Sequence, residues 1–296
     1  MNNEALESPV VALVTYADLP QLTGDDQRLV AALASRGVRA VPAIWNDAHV
    51  DWTVFTAVVV RSCWDYYLQH AEFLAWVARL EAAGVVLWNP PDVLRWNSEK
   101  TYLPALAARG VPVVPTRVVE RGAPTSLASI LADERWERAV VKPAISAAAH
   151  DTWRTSRAEA AAHEARFGAM TAAGRVLVQS FVDAVTTEGE WSLLFLGGAY
   201  SHAVRKRPGA GDFRVQEQHG GTTEAAEPDA ATIAQARAAL CAAPSPADTL
   251  YARVDGCVVD GRFVLMELEL IEPDLFLRAD AAAPDRLADA LVRRLS

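Results

Sequence analysis

Phe263-Val-Leu-Met-Glu-Leu-Glu-Leu-Ile271 is the stretch on which the fold turns. Its apolar content reads as a strand, and side chains on a strand alternate between faces. With strict alternation, Val264, Met266, Leu268 and Leu270 share one face. Phe263, Leu265, Glu267, Glu269 and Ile271 share the other. Two carboxylates two residues apart thus leave an apolar strand on the same side. Such a pair raises its own pKa values unless a cation intervenes. A hard divalent ion such as Mg²⁺, bridging substrate phosphates, would relieve it. Residues 250–259 read as the preceding strand of a hairpin closed at Asp260-Gly261, and offer Asp255 as a third ligand. A two-residue turn pairs Val259 with Arg262 and sets Asp255 opposite Met266, on the wrong face. A three-residue loop with a bulge pairs Asp255 with Glu267 and Arg253 with Glu269. The competing reading is a structural salt bridge in which Arg253 neutralises the glutamates.

Upstream of this hairpin, residues 190–197 lead through Gly197-Gly198 into residues 199–206, a second hairpin. Pro208-Gly-Ala-Gly-Asp212 is a flexible loop, His219-Gly-Gly221 is a glycine turn, and residues 230–242 form an alanine-rich helix. A last helix covers residues 286–295. In the middle of the chain, residues 98–109 read as a helix carrying Lys100 and ended by Gly110, and residues 111–119 as extended. Ala139-Val-Val-Lys-Pro143 is a strand that Pro143 forbids from continuing. Residues 144–151 are a loop of small side chains, followed by a helix and a strand at residues 174–182. The first 95 residues alternate strands (10–15, 38–44, 54–60, 85–88) with helices (28–35, 71–83), which implies a parallel sheet. The expected fold is therefore α/β: an open parallel domain (1–95), a central α+β lid (96–182) and a strand-rich C-terminal unit carrying the acidic pair (183–296).

Composition narrows the function. The 296 residues are 51% apolar and 22% charged, enough for a packed core of about two domains. The net charge of −9 argues against a general nucleic-acid binder, which needs cations to displace phosphate counterions. No apolar run approaches the ~20 residues of a membrane span. Glu4 and Glu7 stand where a signal peptide would carry basic residues, so a cytoplasmic location is expected. Cys63, Cys241 and Cys257 are too scattered for a disulfide frame or zinc site. The dinucleotide fingerprint and the P-loop are both absent, which disfavours an oxidoreductase on the N-terminal domain.

Lysine usage is sharper. Of 28 lysines plus arginines only Lys100, Lys142 and Lys206 are lysines, leaving 25 arginines. A position that keeps lysine in such a chain suits a compact, flexible point charge rather than the arginine fork. Lysines are common donors to nucleotide phosphates. Three of them, with an acidic pair for Mg²⁺, would make a triphosphate site without a P-loop.

The order Lys100, Val-Val-Lys142-Pro, Val-Gln179-Ser-Phe-Val182, Gly-Glu190-Trp-Ser, Phe-Arg214-Val with Gly220-Gly221, then Asp255 and Glu267-Leu-Glu269 resembles the ATP-grasp superfamily. It is most similar to the branch of bacterial glutathione synthetases and ribosomal-protein glutamate ligases. The resemblance covers residues 95–275 and implies two α+β subdomains enclosing ATP. It implies that Lys100 and Lys142 contact phosphates and that the 144–151 loop, with Ser146, closes over them. Residues 179–182 would be a hinge (Gln179, Phe181, Val182) whose backbone meets adenine, and Glu190 would hold the ribose. Lys206 and Arg214 would neutralise the transferred phosphate or developing anion, near Gly220 and Gly221 on the substrate side. Asp255, Glu267 and Glu269 would hold two Mg²⁺ ions. Two features depart from the family: the phosphate loop has no glycine, and Glu269 stands where the last metal ligand is usually Asn.

Such enzymes phosphorylate a carboxylate and let an amine attack the acyl phosphate, giving an amide, ADP and phosphate; the protein positions and neutralises. Lys142→Ala and Glu267→Ala are each expected to abolish turnover and leave the fold intact. Arg61-Ser-Cys-Trp-Asp-Tyr66 and Trp96-Asn-Ser-Glu-Lys100 resemble ATP-grasp proteins of secondary metabolism, including cyclo-ligases that close O-ureido-D-serine to D-cycloserine. That likeness implies a small amino acid gripped by Arg61, Ser62 and Asp65; from the residues alone, Ser62 or Asp65 reads equally as a helix cap. The siblings are an intermolecular dipeptide or peptide-tailing ligase and a non-catalytic ATP-binding regulator.

Overall fold

The computed structural model describes residues 8–147 and 149–295; Glu4, Glu7 and Ala148 of the small-residue loop lie outside the described residues. The chain begins β1 (Val10–Thr15), α1 (Gly24–Ala34), β2 (Arg39–Ile44), β3 (Ala57–Val60), α2 (His70–Ala82), β4 (Leu87–Trp88). These strands form a parallel sheet of order β2-β1-β3-β4. All four residues of β3 are buried, as a strand covered on both faces requires. β3 starts later than its apolar run suggests, because the Asp51 side chain caps a 3₁₀ turn at Trp52–Val54. The helix expected over 98–109 is shorter, α4 (Tyr102–Ala108), and a separate helix the sequence reading did not name, α3 (Pro91–Asn97), precedes it. Lys100 sits in the break, its amide donated to Ala144 O at 2.8 Å rather than to a helical carbonyl.

β5 (Thr116–Val119), α5 (Leu127–Asp133), β6 (Arg138–Pro143), β7 (Trp153–Ser156), α6 (Ala160–Ala173) and β8 (Val176–Ser180) follow. Their antiparallel sheet runs β5-β8-β6-β7 over its own core of Leu131, Val141, Phe167 and Val178. Beyond it come α7 (Ala184–Thr187), β9 (Glu190–Leu196), β10 (Ala199–Arg207), β11 (Thr222–Ala225), α8 (Ala230–Cys241), β12 (Tyr251–Val259), β13 (Arg262–Glu269) and α9 (Ala283–Leu295). The last sheet is antiparallel, ordered β11-β10-β9-β12-β13. Leu287 and Leu291 of α9 share a core with Leu13 and Leu29 of the first sheet, so the chain's end packs on its beginning.

The β12–β13 register combines the two alternatives the sequence offers. Asp260 (φ 49°) and Gly261 (φ 75°) form a two-residue turn with two left-handed positions, and Val259 does pair with Arg262. A bulge then falls between Asp255 and Gly256, so Asp255 pairs with Glu267 and Arg253 with Glu269 after all. The extra residue resets the pleat by one. Phe263 and Leu265 consequently join Leu268 and Leu270 in one core, and the strict alternation expected over 263–271 is corrected. Met266 leaves that core and lines the cleft described next, with Glu267 and Glu269.

Candidate active site

β13 is an edge strand, and its outward backbone groups need partners. Side chains of the α3–α4 region supply them. Asn97 donates to Leu268 O (2.7 Å) and accepts from Leu270 N (2.8 Å); Tyr102 Oη donates to Leu268 O (2.8 Å) and accepts from Leu268 N (3.0 Å). Asn89 donates to Leu270 O at 2.7 Å. These polar groups fix the strand that carries Glu267 and Glu269. Sequence reasoning missed them; the signal was three hydrogen-bonding side chains, at 89, 97 and 102, among apolar neighbours.

A cleft of about 480 Å³ opens between the three sheets. All three lysines line it, with Ser146, Gln179, Phe181, Val182, Glu190, Arg214, Asp255, Glu267 and Glu269. Glu267 is the meeting point: Lys100 Nζ lies 3.2 Å from one carboxylate oxygen and Lys142 Nζ 3.6 Å from the other. Burial pushes the Glu267 carboxyl up, but the two ammonium groups outweigh it and hold the pKa below its ordinary value. Burial lowers Lys142. Lys100 also donates to the Ser146 carbonyl, tying the 144–151 loop down. That loop has no glycine, yet Ala149 (φ 56°) and Asp151 (φ 48°) take left-handed conformations, and His150 packs on Tyr67 with ring centroids 5.2 Å apart.

A second knot lies beside the first. Lys206 is 2.5 Å from Glu190 and 3.4 Å from Asp255. Asp255 also accepts from Ser192 Oγ (2.5 Å) and Arg253 Nε (3.0 Å). Burial would raise its carboxyl, and Arg253 and Lys206 pull it below the usual range. Arg253 reaches Glu269 as well, so the expected salt bridge is present alongside the paired glutamates. Glu269 is still pushed up to about 7, chiefly by burial, with Asp255 and Glu267 adding to the effect against Arg253. Arg214 pairs with Asp212 at 2.8 Å on the cleft wall. Among the described residues no three acidic, His or Cys side chains stand as a preformed metal cage. The donor set still suits a hard cation: Glu267 and Glu269 present carboxylate oxygens to the cleft, each about a quarter exposed, whereas Asp255 is 4% exposed and already saturated by cations and Ser192.

The segment expected to act as a hinge is held by its own hydrogen bonds. Ser180 N donates to Pro115 O (2.9 Å), Phe181 N to Arg138 O (3.0 Å) and the Gln179 amide to Thr116 Oγ1 (2.9 Å). Val182 lines the cleft with Val185, Val215 and Met266.

The 61–66 segment behaves differently from expectation. Arg61 and Ser62 do not line the cleft; they are buried on Asp26, at 2.8 Å and 2.5 Å, and Arg61 also donates to Pro273 O. Asp65 accepts from Trp45 Nε1 at 2.8 Å. The cleft residues of this segment are Trp64 and Tyr66. Gly220 and Gly221 lie in the loop before β11 whose neighbours Gln216, Glu217 and Thr223 line the wall; a Cβ on Gly221 would fall 2.2 Å from Val215 O, so backbone approach explains that glycine.

Comparison with known proteins matches this architecture along its whole length. Residues 11–89 match the N-terminal domain of the D-cycloserine synthetase DcsG family. The cycloserine biosynthesis protein DcsG of Streptomyces lavendulae is 35% identical over 301 residues, spanning 97% of this chain and 99% of that protein. The chain belongs to the D-cycloserine synthetase family of ATP-grasp ligases. The crystal structure of D-cycloserine synthetase DcsG superposes with a TM-score of 0.87 at 33% identity, covering 97% of this chain and all of that one. A D-alanine–D-alanine ligase from Bacillus anthracis complexed with ATP, 14% identical with a TM-score of 0.68 and 97% of each chain covered, shares the fold. As a member of this family the chain is an ATP-dependent ligase that forms C–N bonds and uses ATP and Mg²⁺. Among the described residues no helix is long and apolar enough to cross a membrane.

Proposed function

We propose that this ATP-grasp ligase closes O-ureido-D-serine to D-cycloserine in antibiotic biosynthesis. What carries the reading is the meeting of Lys100 and Lys142 on Glu267 inside one cleft, in a chain similar from end to end to a cycloserine biosynthesis protein. The γ-phosphoryl group passes to the substrate carboxylate, giving an acyl phosphate and ADP. The oxygen-bound ureido nitrogen attacks that carbonyl, phosphate leaves and the five-membered ring closes. D-cycloserine has no carbamoyl group on that nitrogen, so its loss to water as carbon dioxide and ammonia completes the balance.

Each residue has a part. Lys100 and Lys142 exchange Glu267 for the phosphates, Ser146 in the 144–151 loop covers them, and Lys206 with Arg214 neutralises the anion that develops on transfer. The Val182 amide, with Gln179 and Phe181 shaping the hinge, takes adenine, and Glu190 the ribose. Glu267 and Glu269, with Asp255 behind them, would hold Mg²⁺, whose charge would offset that of the phosphates. Gly220 and Gly221 let the β10–β11 loop approach the substrate. Three units, 1–95, 96–182 and 183–296, surround this cleft in a cytoplasmic enzyme that takes a small amino acid and no nucleic acid. Arg61, Ser62 and Asp65 act by holding the N-terminal wall in place.

The test is ADP release over a panel of amino acids and ureido-serines of both configurations, with products read by mass spectrometry. Ring closure needs one amino acid and yields D-cycloserine. Release only with two amino acids together, with a dipeptide formed, would overturn intramolecular closure, and binding without release under every condition would leave a regulator.

A further inference from the structure

Among the described residues, seven carboxylates line the cleft. Glu267 is matched by Lys100 and Lys142, Glu269 by Arg253, and Asp255 by Arg253 and Lys206. Glu190 has Lys206, while Asp274 (3.1 Å) and Glu217 (3.6 Å) both have Arg278. Glu272 is the exception: its side chain makes no hydrogen bond or ion pair among the described residues, and only burial and more distant charges act on it. Its carbonyl is nonetheless fixed, accepting from Trp64 Nε1 at 3.0 Å. Pro273 O next to it accepts from Arg61 Nη2 at 3.2 Å. The carboxylate thus enters the cleft from a backbone clamped by the N-terminal domain, beside the Trp64 wall.

Its place along the chain is informative. Glu272 stands three positions after Glu269, a reach of at most about 10 Å. An amino acid whose carboxyl lay near Glu267 and Glu269 would have its other charged group within reach of this end of the cleft. A half-buried carboxylate facing acids and lacking a partner is stabilised by a cation supplied from outside. Burial, with Glu269 and Glu267 nearby, pushes the Glu272 carboxyl up to about 8 against the pull of Lys100, which is the same unmet demand seen from the proton's side.

We infer that Glu272 is the residue that receives the α-ammonium group of the amino-acid substrate, with Trp64 as the wall that positions it. The inference deepens the ligase reading above and rests on it. It assigns to Glu272 the grip on the amino acid that the 61–66 segment was expected to supply, and leaves Arg61 as a positioning residue acting through Pro273.

The test compares O-ureido-D-serine with the analogue bearing hydrogen in place of the α-ammonium, both assayed by ADP release in wild type and in Glu272→Gln and Glu272→Asp. Wild type should show a KM for the analogue about 10- to 100-fold above that for the amino acid, the range expected for one charge-assisted contact. Glu272→Gln should raise the amino-acid KM toward the analogue's and erase the discrimination, with kcat, the KM for ATP and the melting temperature kept. Glu272→Asp should restore part of it. An unchanged amino-acid KM in Glu272→Gln, or discrimination by the same factor, would overturn the assignment. So would a fall in kcat at constant KM, which would place the carboxylate in the chemistry instead. Absence of ADP release with every amino acid in wild type would overturn the ligase reading itself, a result separate from any of these.

Discussion

Replacing Glu267 with alanine removes the counter-charge of two ammonium groups that are both nearly buried. At 3.2 Å and 3.6 Å each Lys–Glu pair is worth about 5 kcal/mol of Coulomb energy at an effective dielectric of ~20, offset by several kcal/mol of desolvation per ion. Breaking a fully buried pair costs about 3–5 kcal/mol. The Glu267 side chain is 24% exposed, and Lys100 retains the Ser146 carbonyl, so a loss of roughly 2–3 kcal/mol is expected here. For Glu267→Ala, then, turnover should vanish and the fold should persist at reduced stability. Urea unfolding followed by fluorescence of the nine tryptophans measures the drop. Two further measurements isolate its cause. Saturating ATP without added metal should narrow the gap to wild type, because phosphates replace the lost carboxylate. Adding Lys142→Met should recover part of the stability, because it removes one stranded ammonium. An alanine variant that unfolds at the wild-type urea concentration, or a double variant whose effects simply add, would refute the reasoning.

Asn97→Ala strips two hydrogen bonds from buried backbone groups, Leu268 O on β13 and Leu270 N just past it, and should cost roughly 2–4 kcal/mol in urea unfolding, with turnover falling as Glu267 and Glu269 lose their fixed strand. Lys142→Arg puts a rigid fork where a point charge fits, and kcat should fall by about 10²-fold or more in the ADP-release assay while folding is kept. Asp26→Asn strands the buried Arg61 guanidinium and should cost about 3–5 kcal/mol. Burial would raise Asp26, but Arg61, Ser62 and Thr23 hold its pKa below the unfolded value. Its stabilisation is therefore fully present above the unfolded carboxylate pKa and is lost as pH falls through the folded one. A stability–pH curve should show a shallower acid limb in Asp26→Asn than in wild type.

The parallel sheet was legible because β1 and β3 are apolar runs and the helices between them carry apolar stripes. The three lysines were legible because an arginine-rich chain kept them, and all three do line one cleft. What the sequence concealed is mostly a matter of single-residue shifts. The bulge opposite Gly256 moves Phe263 and Leu265 to the other face from the one alternation assigns, and no local pattern announces it. The break at Lys100 is invisible in helical propensity, because it is set by the Ala144 carbonyl 44 residues away. Arg61 and Ser62 looked like ligand-gripping groups because a buried Arg–Asp–Ser cluster and a binding loop have the same composition; only the position of Asp26, on a helix 35 residues earlier, distinguishes them.

The charge pattern of the cleft constrains how its ligands arrive. Lys100 and Lys142 cannot pass to phosphates without leaving Glu267 exposed among acids, so nucleotide alone raises the electrostatic cost at β13 and favours a divalent cation at the same moment. An arginine at either position would hold its carboxylate bidentately and resist that exchange, which is a physical reason for lysine to persist in a chain with 25 arginines. Glu190 and Asp255 differ from Glu267: Lys206 is shared between them, with Arg253 and Ser192 behind, so its release toward a developing anion leaves Asp255 still neutralised. On the proposed roles, the first knot would change partners and the second would keep its shape while lending one charge. Measured separately, Glu267→Gln should therefore alter metal dependence, whereas Glu190→Gln should alter kcat with the metal requirement unchanged; the reverse assignment would contradict this division of the site.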